Sequence, residues 1–322
     1  MTAGTERVVA IDLGGTGMKG SLIDRAGRSG PVRRRPTPVA GGPEAVVEAV
    51  LSLAEELRDA EESETVTAGL AVPGLVDEER GFVRAAANLG WREVDLGSLA
   101  QRRLAMPVVV NHDVRAAALA EGLVGAARGV SDYVLLTLGT GIGAAIVIGG
   151  RAYTGANGLG GELGHVAVAP DGPMCGCGRR GCLEAIASAS AVVRRYRELG
   201  GDDQAVSTAE RVIDLAADGD PCAERVWEQA IDALAGAIAD YVTLLDPELV
   251  VIGGGMACSG PRLFGPLQAA LPTHLRFTEA PPLVPASLGD QAGRYGAAIA
   301  AWRTAGMRDA ELTAWVTANA PA

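Results

Sequence analysis

The chain has 322 residues, 48% of them hydrophobic and 21% charged, so it is long enough for two cores and apolar enough to fold them. A formal net charge of −11 at pH 7 argues against the basic stripe of a nucleic-acid binder, and no window approaches the ~18 apolar residues of a membrane span. The opening MTAGTERVVAIDLGG has no basic segment followed by an apolar stretch, so a cytoplasmic chain with reduced thiols is expected, Cys222 and Cys258 being core thiols.

RVVAIDL runs into Gly14-Gly15-Thr16-Gly17 and MKGSLID resumes the alternation, which predicts a hairpin with a glycine-rich tip. The run Arg33-Arg34-Arg35 before Pro36 reads as a solvated turn. Ala45 to Asp59 has helical periodicity. TAGLAVPG and PVVVN supply two buried strands, with a loop carrying Asn88-Leu89-Gly90-Trp91 between them. A small α/β domain over residues 1–112 is then complete, and residues 113–290 are expected to form a larger one, opened by a helix from Val114 to Leu123. YVLLTLGTGIGAAIVIGG repeats the first module, residues 133–148 resembling residues 8–23. Helices are expected near 184–199, 207–217 and 222–245, then a strand Leu249–Ile252 ending in Gly253-Gly254-Gly255. The last segment, about 291–322, holds a helix from Gln291 to Ala305 that packs back on the first domain. Strands alternating with helices imply an α/β architecture. His274 and the pairs Glu61-Glu62 and Glu78-Glu79 read as solvated.

The segment GELGHVAVAPDGPMCGCGRRGCLE places His165, Cys175, Cys177 and Cys182 within 18 residues of one another. Thiolate sulfur and imidazole nitrogen are the usual tetrahedral donors for zinc, and a closed Cys3His set is structural. Glycines at 176, 178 and 181 let the backbone turn tightly enough for three sulfurs to converge. Glu162 and Glu184 flank the ligands, so a bound ion would hold two carboxylates in place.

Asp12-Leu13-Gly14-Gly15-Thr16 and Leu138-Gly139-Thr140-Gly141-Ile142-Gly143 each offer successive backbone N–H groups to an anion with no Cβ in the way. Alone, either is a weak signal that an ordinary hairpin tip also gives; two, one in each half, suggest a nucleotide held in a cleft. Neither matches G-x-x-x-x-G-K-[ST], and neither strand and turn is followed directly by a helix, which argues against P-loop and dinucleotide folds. Gly253 to Gly255 end a buried strand where adenosine could lie against bare backbone.

IDLGGT at 11–16, PGLVD at 73–77, NLGW at 88–91, HDVRAAALAE at 112–121, LGTGIG at 138–143, GELGH at 161–165, CGCGRRGCLE at 175–184 and IGGG at 252–255 together resemble the ROK family of sugar kinases and repressors, over nearly the whole chain. The resemblance implies a two-domain actin-like ATPase (ribonuclease H-like) fold with an interdomain cleft. It also implies transfer of the γ-phosphate of ATP to a hexose hydroxyl, with glucose to glucose 6-phosphate foremost. By position, Asp113 matches the general base, while Asn88, Glu162, His165 and Glu184 fall on sugar-binding positions. Asp12 would orient Mg²⁺, and Gly14, Gly15, Thr16, Thr140, Gly141, Gly254 and Gly255 would line the nucleotide. His165 would serve both zinc and sugar, one ring nitrogen each. A homodimer or homotetramer is expected.

The chain departs from the family pattern at His112, where an asparagine is common before the base, at Arg115, where a second asparagine is frequent, and at Gly17, where many members have lysine. His112 borders the C3–C4 side of the sugar, which opens the acceptor to amino or N-acyl hexoses (N-acetylglucosamine, N-acetylmannosamine, 3-amino-glucose) besides glucose. A non-catalytic sugar sensor and a polyphosphate-dependent kinase are also compatible with these motifs. The related repressors carry a winged-helix domain ahead of the kinase-like part, and only seven residues precede Val8.

Overall fold

The computed structural model describes residues 6–60, 64–202 and 206–315; the Glu61-Glu62 pair and the end of the expected 291–322 segment lie outside them. The chain divides into two compact units. The first runs to Gly129, takes in Thr154–Gly160 and resumes at Asp290; the second comprises Val130–Tyr153 and Gly161–Gly289.

In the first unit β1 (Arg7–Leu13) hairpins onto β2 (Gly17–Asp24) in the register Val9↔Leu22 and Ile11↔Gly20. The apolar run Val8–Ile11 is buried throughout, as a strand covered on both faces must be. β3 (Arg33–Pro36) pairs with β2, so the arginine run is an edge strand rather than a solvated turn. Charged side chains and a terminal proline suit an edge that nothing further pairs with. Arg33 and Arg35 reach Glu56, and Arg34 lies 2.7 Å from Asp290.

α1 (Pro43–Arg58) starts with proline at its first turn and buries Val46, Val50, Leu53 and Leu57, one stripe of a 3.6-residue period. After β4 (Thr65–Val72) comes a meander of β5 (Leu75–Asp77), β6 (Phe82–Ala86) and β7 (Trp91–Val94). The sequence suggests only a loop here; Trp91 anchors it, fully buried with Nε1 donating to Pro43 O. α2 (Leu96–Leu104) begins at Asp95, whose carboxylate accepts from Ser98 N. β8 (Val108–His112) and α3 (Asp113–Val124) follow without an intervening residue. The sheet order is β3-β2-β1-β4-β8, with β1, β4 and β8 parallel.

In the second unit β9 (Tyr133–Leu138) hairpins onto β10 (Ile142–Ile148), which pairs with β11 (Arg151–Ala152). The expected helix at 184–199 is two, α4 (Leu183–Ala187) and α5 (Ala189–Glu198). Ser188 breaks it, its extended backbone ending one helix while its hydroxyl accepts from Ala191 N to start the next. α6 (Ala209–Ala217), α7 (Pro221–Leu245), β12 (Leu249–Gly253), α8 (Pro261–His274) and β13 (Leu283–Pro285) complete the unit. Its sheet order, β11-β10-β9-β12-β13, matches that of the first unit strand for strand, so the short internal repeat extends to a whole sheet.

The chain then returns to the first unit as α9 (Ala292–Thr304) and α10 (Asp309–Leu312). α9 packs on α3 and on β1 and β4. A Cβ at Gly296 would run into the carbonyl of Ala116, so the two helix backbones approach as only glycine allows. That packing draws α3 into the first unit: the division falls after Gly129, not at residue 112 as the sequence suggests.

Candidate active site

Asp12 stands in β1 between the buried run Val8–Ile11 and the buried Leu13, and its side chain is only 17% exposed. Burial holds its carboxyl above the usual range, opposed by Lys19 Nζ at 3.1 Å and reinforced by the negative charge of Asp113. The Gly14–Gly17 tip is closed by Gly14 N donating to Gly17 O, and Thr37 Oγ1 donates to Gly14 O. A cavity of about 450 Å³ opens there, lined by Asp12, Gly14, Thr16, Lys19, Arg34 and Arg35 among others. Asn88 stands against the same tip: a Cβ on Gly15 would lie 3.1 Å from its Nδ2.

Asp113 is the first residue of α3, where its Oδ1 accepts from Val114 N, and its side chain is 30% exposed. His112 Nε2 lies 3.5 Å from that oxygen, and His112 Nδ1 is buried with no hydrogen-bond partner among the described residues. Glu78 organises the neighbourhood. Its Oε1 accepts from His112 N at 2.9 Å and from Arg115 Nε at 2.7 Å, and its Oε2 from Asn111 Nδ2. Arg115, 2% exposed, also donates to Gly158 O and Val76 O. Glu78 is therefore not the solvated residue expected from sequence, and Arg115 is turned into the fold. His274 pairs with Asp232 at 3.0 Å; Cys222, half-buried, packs against the core of the second unit, whereas Cys258 is exposed and is not a core residue.

In the second unit the ligand atoms of His165, Cys175, Cys177 and Cys182 all lie within 4.8 Å of one another. Cys175 Sγ is 3.7 Å from His165 Nδ1, and Cys177 Sγ is 3.6 Å from Cys182 Sγ. Tetrahedral zinc with bonds of about 2.0–2.3 Å requires such edges, so the donors fit in number, chemistry and spacing. Burial pushes the Cys182 thiol up to about 12 and raises that of Cys175, while the N–H of Arg179 lowers that of Cys177. With Nδ1 facing the sulfurs, His165 keeps Nε2 for another partner.

Glu162 precedes the short turn Leu163–His165, and its charge adds to the burial that pushes the Tyr241 hydroxyl up to about 12. Glu184 lies in the first turn of α4, capped by Cys182, and its Oε2 accepts from Ile142 N at 2.9 Å. Ala189 N donates to Gly139 O, so the segment after the cysteines supports the Gly139–Ile142 turn from both ends. Gly254 sits against Leu138, at the start of the same turn, and Gly255 is open around its Cα. Beside Thr140 is a cavity of about 520 Å³, lined by Ser190, Arg194 and Thr208 among others. Those residues carry no motif; α5 and α6 bring them together.

Residues 8–304 match the ROK family. A glucokinase of Thermotoga maritima is 38% identical over 307 residues, covering 91% of this chain and 96% of its own. An N-acetylmannosamine kinase of Salmonella typhi is 35% identical over 249 residues, 77% of this chain and 82% of its own. The crystal structure of a ROK family glucokinase from Streptomyces griseus in complex with glucose and AMPPNP superposes with a TM-score of 0.80 at 30% identity, covering 92% of this chain and 99% of that one. The two α/β units with matching sheets are those of the actin-like ATPase fold. On a match that spans nearly its whole length, the chain belongs to the ROK family.

Proposed function

We propose that the protein is a sugar kinase that transfers the γ-phosphoryl group of ATP to glucose, giving glucose 6-phosphate. The observation that carries this reading is the pair Asp113 and Asp12. One carboxylate stands partly exposed at a helix start, and the other is buried beside a glycine turn close enough to sense its charge. Phosphoryl transfer needs a base for the incoming hydroxyl and a holder for the cation on the phosphates, and little covalent chemistry besides. Asp113 takes the hydroxyl proton; Asp12, with Lys19 beside it, fits a Mg²⁺ ion or its waters. The N–H groups of Gly15 and Thr16, beside Gly14, and those of Thr140 and Gly141 cradle phosphates, and Gly255, open where Gly254 packs against Leu138, leaves room for adenosine. Asn88, Glu162, His165 through Nε2, and Glu184 bind sugar hydroxyls. His165, Cys175, Cys177 and Cys182 would hold a zinc ion, which would cross-link their loop. We assign the chain to a homodimer or homotetramer in the cytoplasm. No helix among the described residues is long and apolar enough to cross a membrane.

A second reading, an amino or N-acyl hexose as acceptor, is favoured by His112, whose buried Nδ1 has no partner among the described residues. An ADP-release assay over glucose, mannose, N-acetylglucosamine, N-acetylmannosamine and 3-amino-glucose decides between them. Glucose should give the highest kcat/KM, with ATP preferred over polyphosphate. Turnover confined to an N-acyl or amino sugar replaces the first reading with the second, and none on any sugar leaves a sensor. If His112 sets the choice, His112→Asn moves the ratio of kcat/KM toward glucose; an unchanged ratio means that it only packs.

A further inference from the structure

We infer that Glu184 is a positioning residue for the nucleotide: its carboxylate clamps the Gly139–Ile142 turn and so makes the cysteine loop a support of the phosphate site as well as of the sugar site. The inference rests on the kinase reading, because it takes that turn to hold phosphate.

The geometry is local to the second unit. β9 and β10 meet at a tip beyond the Leu138–Ile142 pair, where Gly139 N donates to Gly141 O. A tip that offers its N–H groups to a phosphate chain must be held from behind, since every N–H spent on an internal bond is lost to the ligand. Glu184 does this. Its Oε2 accepts from Ile142 N at 2.9 Å, a charge-assisted bond at the rear of the turn. The carboxylate fills the space where a side chain at position 141 would stand: a Cβ there would run into Glu184 Oε2, whereas one at Gly139 would meet nothing within 4 Å. Glycine at 141 thus answers to the glutamate, not only to the phosphate.

Glu184 is itself held by the metal ligands. Cys182 is the residue from which α4 starts, Leu183 N donates to Val166 O, and Cys182 Sγ lies 3.5 Å from His165 O. The clamp stands two residues after the last ligand, and α4 is too short to be placed by its own backbone bonds. The cysteine loop therefore sets where Glu184 stands, and Glu184 sets the turn.

The test is binding of AMPPNP with Mg²⁺, measured by calorimetry without sugar on the zinc-loaded full chain. Glu184→Ala should weaken AMPPNP about tenfold, the cost of one charge-assisted hydrogen bond. Glu184→Gln should lose only about threefold, because its amide oxygen accepts the same N–H without the charge. An E184A protein that binds AMPPNP as the wild type does and loses only sugar affinity overturns the inference. So does an E184Q protein as weak as E184A, which would mean that charge, not position, matters. Should E184A fail to fold, Gly141→Ala displaces the carboxylate while leaving it in the chain, and a folded G141A protein with wild-type AMPPNP affinity overturns the inference equally. Wild-type protein that phosphorylates no sugar yet binds AMPPNP leaves the clamp testable while the kinase reading fails.

Discussion

Asp113 and Asp12 are both carboxylates, yet their surroundings differ. Asp113, 30% exposed, can receive a proton and pass it to water, so Asp113→Asn should lower turnover by about 10²-fold or more while leaving sugar affinity and far-UV circular dichroism largely intact. Steady-state kinetics beside equilibrium sugar binding check this. Asp12 is held above the usual carboxyl range by burial, and Lys19 at 3.1 Å limits the rise. Lys19→Met removes that restraint, so the carboxyl climbs further and the acid limb of kcat/KM moves to higher pH. The same shift acts on stability. A carboxyl raised in the folded state favours folding below its unfolded value of 3.8 and loses that contribution as pH rises through the folded value. The variant should therefore lose about 1 kcal/mol at neutral pH and less in acid, as urea titrations at the two pH values will show. A limb that does not move would detach Lys19 from Asp12.

At the scale of elements, what could be read from sequence was what is local in sequence. The IDLGGT hairpin, the second glycine turn and the cluster of His165, Cys175, Cys177 and Cys182 each lie within one short window, and the structure has each as a compact feature. Glu78 escaped because its partners, His112 and Arg115, stand 34 and 37 residues away, and nothing in the pair Glu78-Glu79 marks which member turns inward. The β5-β6-β7 meander escaped too, its strands of three to five residues being too short for an alternation to show. Glu78 joins β5 to the start of α3 and so steadies the peptide that presents Asp113. Glu78→Gln leaves the Arg115 guanidinium buried beside a neutral amide, which should cost about 3 kcal/mol in chemical denaturation. If the pair were a surface ornament, the loss would stay below about 1 kcal/mol.

For the molecule as a whole, one zinc per chain is expected by metal analysis, and Cys177→Ser should abolish it. The cysteines themselves form a small buried cluster, Cys175 and Cys182 with Ala185, distinct from the large cores, although Leu163, Val168 and Leu183 tie the segment to the core of the second unit. The variant should keep most of its far-UV signal while KM rises for sugar, through Glu162 and His165, and for ATP, through Glu184. Outright unfolding would make the ion a keystone of the second unit rather than an organiser of sites. The return of α9 to the first unit has a consequence for biosynthesis. A ribosome completes β9 through β13, and with them the whole second unit, before it makes the helix that covers β1 and β4. The half of the protein that is begun first is thus finished last. Until some 300 residues have been translated, its sheet waits with the groove for α9 open, a long exposure of apolar surface for a nascent chain and a natural place for a chaperone to hold it.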